Sequence, residues 1–164
     1  MFAELLPVRE RVSGPEHDRT LAARHQLAYW TGEAGDSATA RDRYAELVPV
    51  RERASGSEDR ATLIARANLA RWTGEAGDPA GARDQFAALL PVRQRVLGAE
   101  HPDTLTDRSN LASWTGWAGD AAGARDQYAA LLPVRERVSG AEHPDTLSAR
   151  ASLAYWTKRA QNPE

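Results

Sequence analysis

The residues best equipped for chemistry recur at one spacing. His17, His101 and His143 occupy a single slot of a regular pattern, with Asp59 filling it once, and imidazole and carboxylate both bind metals. One ligand per unit cannot converge on an ion, because packed helices lie about 8–10 Å apart and ligand bonds are about 2 Å long. Helix capping explains the slot instead, and no metal is expected. Trp30, Trp72, Trp114 and Trp156 suggest an aromatic platform, but identity in every unit points to packing between helices. Arg24, Arg66, Arg108 and Arg150 fall on a stripe expected to be buried, so each needs a carboxylate or an aromatic face. The runs Arg51-Glu52-Arg53 and Arg135-Glu136-Arg137 read as solvated helix surface. No phosphate-binding glycine loop, nucleophile elbow or unique paired-carboxylate cleft is present, so neither an enzyme nor a cofactor is expected.

The elements that position these residues follow from the spacing. The four tryptophans fall at an even step of 42 residues, as do Pro7, Pro49, Pro91 and Pro133, and Gly14, Gly56, Gly98 and Gly140. A unit of that length cannot bury its own apolar face, so neighbours must stack and share a core. Each unit reads as two helices. In the third, Pro102 and Asp103 suit a first helical turn, and helix A runs to about Ala118. Gly119 stops it in the left-handed conformation and Asp120 caps the next helix at once; Gly35-Asp36 and Gly77-Asp78 repeat this two-residue link. Helix B carries Ala124, Tyr128, Leu131, Leu132 and Val138 at helical spacing and ends near Gly140. A proline inside every helix B predicts a kink or a break there. The fold class is all-α, a right-handed α-solenoid of stacked helix pairs, divided as 1–14, 15–56, 57–98, 99–140 and 141–164.

Composition narrows the partners. The 164 residues are 27% charged with a net charge of -2, which offers neither a basic stripe for nucleic acid nor a polybasic patch for membranes. Cysteine is absent, which removes disulfides and thiolate zinc sites. No apolar run approaches the roughly 20 residues of a membrane span, and the first residues lack the basic flank of a signal peptide, so the expected location is cytoplasmic. Lys158 is the only lysine among 21 basic residues.

The segment Gly98 to Leu105 (GAEHPDTL), with Leu111-Ala112, Gly119, Ala124 and Tyr128, resembles the long form of the tetratricopeptide repeat found in kinesin light chains and many bacterial regulatory proteins. The resemblance covers nearly the whole chain. Arg108 and Thr115 depart from the aromatic residues usual in helix A, and Trp114 stands beside them.

Because the units are near copies, the positions where they differ carry information. Projected at 100° per residue, helix A of the third unit keeps Leu105, Arg108, Leu111, Ala112, Thr115 and Ala118 on one face. Thr106, Ser109, Asn110, Ser113 and Trp117 vary and lie opposite. The family resemblance implies that this variable front lines a concave groove for a protein or peptide. The groove would then carry His25, Gln26, Tyr29 and Glu33, then Ile64, Asn68, Arg71 and Glu75, and in the last unit Ser148, Ser152, Tyr155 and Arg159. Tyr29, Arg71, Trp117 and Tyr155 are residue types that anchor interfaces, and Trp117 stands out where the other units have Glu33 and Glu75. The lysine-and-asparagine clamp by which some family members hold a C-terminal carboxylate is not matched. The expected function is a protein-interaction scaffold, the alternative a structural or oligomerisation arm of a larger ATPase-linked regulatory protein. For the latter, Phe2, Leu5 and Leu6 match Tyr44, Leu47 and Val48, so one molecule's first helix could cover another's last, head to tail and weakly. Lys158, Arg159, Gln161 and Asn162 make that last helix more polar, as a cap would.

Overall fold

Glycine and aspartate set the helix boundaries, as the repeat predicts. A computed structural model describes residues 2–162, with side chains described for all of these except 2–5 and 9. The described residues form eight helices and no strand. The A helices are α2 (Asp18–Glu33), α4 (Arg60–Glu75), α6 (Pro102–Trp117) and α8 (Pro144–Gln161). The B helices are α1 (Phe2–Ser13), α3 (Ser37–Ser55), α5 (Pro79–Leu97) and α7 (Ala121–Ser139). Gly35 and Gly119 take φ of 98° and 104°, which lets the chain reverse after α2 and α6. The amide of Gly35 then donates to Gly32 and that of Asp36 to Thr31, satisfying carbonyls the helix end would orphan. Asp36 and Asp120 cap α3 and α7 through the amides of Thr39 and Gly123.

The histidine slot is a capping slot. Nδ1 of His17, His101 and His143 accepts from the amide two residues on, each at 3.2 Å, while Asp59 accepts from both Ala61 and Thr62. Each proline-bearing helix B is continuous, so the prolines do not break it. Pro49, Pro91 and Pro133 are exposed, as are Ala45, Ala87 and Ala129, whose carbonyls lose their partner. A carbonyl on an exposed face can be hydrated, which lowers the cost of an interior proline.

Contacts divide the chain into two units, Met1–Asp78 and Pro79–Glu164. In the first, α1 packs on α2, α2 on α3 and α3 on α4; in the second, α5 to α8 pack in the same sequence. The cores correspond position for position. Leu21, Ala28, Ala40, Tyr44, Leu47, Ala65 and Trp72 in the first unit match Leu105, Ala112, Ala124, Tyr128, Leu131, Ala149 and Trp156 in the second. Phe2 and Leu5, expected to match Tyr44 and Leu47, lie outside the described side chains.

The arginines depart from the sequence reading. Arg24, Arg66 and Arg108 are half-buried and Arg150 is exposed, so the column is a rim rather than a buried stripe. Arg24 pairs with Glu10 and Arg150 with Glu136, each 14 residues earlier on the preceding helix B. Arg51, Arg93 and Arg135 are buried instead, and Arg51 and Arg135 belong to the two runs read as solvated surface. Within their units α3 and α7 each touch helices on two sides, so a wider arc of their surface is covered than the pattern of one amphipathic helix suggests.

Candidate functional site

Every residue of the expected groove keeps some solvent exposure, but not all of them are available for a partner. On α2, His25 is turned inward. Its ring lies edge-on to Tyr44 at 5.4 Å between centroids, and the Tyr44 hydroxyl sits 3.3 Å from both His25 Nδ1 and His25 O. Burial, and then the Arg51 charge, lowers the His25 pKa. Burial likewise raises the Tyr44 phenol. Tyr29 packs edge-on against Trp30 at 5.4 Å, and Gln26 and Glu75 are exposed. Asn68 donates along its own helix to Ile64 O at 2.9 Å. Arg71 reaches from α4 to α2, placing Nη1 3.0 Å from Glu33 Oε1 and its guanidinium 4.3 Å over the Trp72 ring.

The second unit uses its front differently. On α6, Thr106 turns back to Pro102 O and Asn110 is half-buried. Ser109 accepts from Arg135 through its hydroxyl and from Tyr128 through its carbonyl. The Ser113 hydroxyl meets the Tyr128 hydroxyl at 2.6 Å. Trp117 is 54% exposed, and 6.1 Å away on α8 stands the ring of Tyr155, 43% exposed. Both rest edge-on against Trp156, at 5.3 Å and 4.8 Å. Arg159 donates to the Tyr155 hydroxyl at 3.1 Å, while Ser148 is exposed. Together Ser113, Trp117, Ala151, Ser152, Tyr155 and Trp156 line an open recess of about 330 Å³ between α6 and α8. Four of these six are residues that the sequence placed on the variable front.

One rung is therefore built in two ways. Glu33 and Arg71 are the same repeat positions as Trp117 and Tyr155, so the place joining consecutive A helices is an ion pair in the first unit and an exposed aromatic pair in the second. The ion pair satisfies itself. The aromatic pair leaves ring faces open to solvent, and open apolar surface of this kind is stabilised when a partner covers it. The recess can hold an apolar or aromatic side chain, with hydroxyls of Ser113 and Ser152 at its wall.

Sequence reasoning missed a buried ion pair between α5 and α6. Arg93 Nε approaches Asp107 Oδ2 at 2.7 Å, a charge contact rather than an aligned hydrogen bond, and Asp103 lies 3.6 Å from Nη1. Burial outweighs the arginine and pushes the Asp107 carboxyl up to about 6. The signal was present: Ala23, Ala65 and Ala149 hold the equivalent position, so Asp107 is a lone charge in an alanine column. No helix among the described residues is long and apolar enough to cross a membrane.

The sequence pattern of a family described as tetratricopeptide repeat matches residues 62–103 and 104–145. No curated protein matches the chain. Among solved structures, the nearly identical TPR-like repeats of a Podosopora anserina kinesin-light-chain-type protein are similar over 99% of this chain and 76% of theirs, with a TM-score of 0.86 at 20% identity for a form carrying one substitution. The structure without that substitution scores 0.84 at 20% identity, over 99% of this chain and 77% of its own. BtubC (BKLC) from P. vanneervenii scores 0.84 at 18% identity over 98% of this chain, which spans 64% of its length. At such identities the likeness is one of fold.

Proposed function

Because the chain belongs to the tetratricopeptide repeat family, whose repeats generally mediate protein–protein interaction, we propose that it is an interaction scaffold that captures an extended or helical segment of a partner on the exposed front of its A helices. The observation carrying this reading is the Trp117–Tyr155 pair, an exposed aromatic rung where the first unit has a closed ion pair. Aromatic side chains with few rotatable bonds lose little entropy on binding, and tryptophan and tyrosine are enriched among residues that dominate interfaces. The segment would seat one apolar side chain in the recess beside Ser113 and Ser152, with Arg159 at its edge.

Selection of peptides from a random display library on the wild-type chain provides the ligands for a test. Replacing Trp117 and Tyr155 together by alanine should weaken the selected peptides by roughly 30-fold or more, the effect of losing ~2 kcal/mol at one anchor. Helix content should be unchanged, since both rings are about half exposed. Equal binding by both proteins would refute the assignment. The second reading, an oligomerisation arm, is favoured by apolar side chains left uncovered on α2 and α8, namely Trp30 and Leu147.

A further inference from the structure

The six residues that line the recess between α6 and α8 correspond, in the first unit, to Tyr29, Glu33, Ala67, Asn68, Arg71 and Trp72. Two of the differences shorten a side chain. Ser113 stands at a repeat position held elsewhere by Tyr29, Arg71 and Tyr155, and Ser152 at one held by Gln26, Asn68 and Asn110. In the first unit Tyr29 packs against the core cluster that contains Tyr44 and Trp72, whose counterparts in the second unit are Tyr128 and Trp156. In the second unit the short Ser113 side chain meets only the Tyr128 hydroxyl, 2.6 Å away, among its hydrogen-bond partners. The recess of about 330 Å³ therefore opens where two short side chains stand inside the unit, and is not a helix face without a neighbour.

We infer that this recess is a specificity pocket for a tyrosine side chain of the partner segment, which fills from outside the place that Tyr29 fills from within the first unit. The inference rests on the reading of the A-helix front as a binding surface and adds which side chain that surface selects. The walls suit such a ring. Trp117 and Tyr155 are tilted by 43° with centroids 6.1 Å apart, both stand edge-on to Trp156, and aromatic rings attract one another at about 4.5–7 Å. The Ser152 hydroxyl in the lining offers the phenol group a hydrogen bond that an aliphatic side chain cannot use. Arginine holds the position of Ser113 in one repeat, as Arg71, but there Glu33 stands 3.0 Å from its guanidinium. Trp117 takes the place of Glu33 in the second unit, so the lining offers a cation no carboxylate, and Arg159, which donates to the Tyr155 hydroxyl, repels a second positive charge.

Titration of N-acetyl-tyrosinamide, N-acetyl-leucinamide and N-acetyl-argininamide into the full chain, followed by NMR at the indole N–H of Trp117, reads the pocket without a partner protein. The tyrosine amide should bind about tenfold or more tightly than either of the others. Ser113→Tyr supplies the ring from within and should weaken the tyrosine amide about tenfold or more, while Tyr128 keeps its bond to Ser109 O. Ser152→Asn, which restores the residue of Asn68, should weaken it about threefold. Helix content should match wild type in both variants, since each restored residue already stands at that position elsewhere in the protein. The proposal is overturned if the tyrosine amide does not bind, if the three amides bind alike, or if Ser113→Tyr leaves the binding unchanged. Should Ser113→Tyr lose helix content, Ser152→Asn decides alone, and unchanged binding there overturns the proposal. Display-selected peptides separate this inference from the scaffold reading. Peptides that need Trp117 and Tyr155 but ignore Ser113→Tyr would keep the scaffold and overturn the tyrosine pocket. Tyrosine-amide binding that is lost in Ser113→Tyr, beside peptides indifferent to the Trp117→Ala/Tyr155→Ala change, would do the opposite.

Discussion

Replacing Gly116 by alanine sets two effects of opposite sign against each other. Alanine is favoured over glycine in a helix interior by about 1 kcal/mol, so helix propensity alone makes the variant more stable. Packing opposes this. The new Cβ would lie 2.5–2.6 Å from three atoms of the Trp156 ring, well inside contact distance, and the ring is 3% exposed with little room to move. Forcing a methyl group into such a contact costs about 1–3 kcal/mol when neighbours shift to admit it. If the ring is expelled, the cost rises: a tryptophan buries about 150–250 Å², worth roughly 4–6 kcal/mol at ~25 cal/mol per Å². The expected net effect is a loss of up to about 2 kcal/mol if neighbours shift and of about 3–5 kcal/mol if the ring is expelled, the latter a fall of many degrees in melting temperature. Circular dichroism melts measure the loss, and tryptophan emission should shift to the red as Trp156 meets water. In a Trp156→Leu background the clash disappears, and Gly116→Ala should become neutral or stabilising. A single variant that gains about 1 kcal/mol would refute the claim that glycine is retained here as a seat for the ring.

Three other substitutions test the remaining contacts. His101→Asp should stabilise α6 by about 0.5 kcal/mol, because the aspartate at the equivalent Asp59 accepts two amide protons where the histidine accepts one; chemical denaturation reads this, and a loss would refute it. Gln94→Glu gives Arg108, whose pKa is lowered by burial and then by Arg135, the partner that Glu10 and Glu136 give Arg24 and Arg150, and should add up to about 1 kcal/mol that fades in high salt. Asp107→Asn isolates the buried carboxyl. Its pKa is raised from the model-compound 3.8 to about 6, so the stability it contributes is full below about pH 4 and lost as the pH rises through about 6. The asparagine variant should therefore gain on wild type by up to ~3 kcal/mol between about pH 4 and pH 7.5, and a difference that does not change with pH would refute the assignment.

The repeat step, the helix pairs, the Gly-Asp links, the histidine caps and the division of helix A into constant and variable faces were all legible in the residues. These features depend on local backbone preference and on a period, and both are written along the chain. Thus Gly119 reads as a stop and Asp120 as a cap without knowledge of any neighbour. Ser113 and Trp117 share one side of α6 because a helix has one geometry, and both keep solvent exposure there.

What an isolated helix cannot reveal is how many sides of it are covered, and that is where tertiary structure decided. Arg51, Arg93 and Arg135 look like surface on one helix, but α3, α5 and α7 each pack against another helix within their unit and leave those side chains buried. Four identical tryptophans meet unlike fates, from 3% exposed at Trp72 and Trp156 to 55% at Trp30, because burial belongs to the pair of helices rather than to the residue. The pairing of Trp117 with Tyr155, and of Glu33 with Arg71, joins residues 38 positions apart in the chain, a distance that only the stacking of one A helix on the next could close.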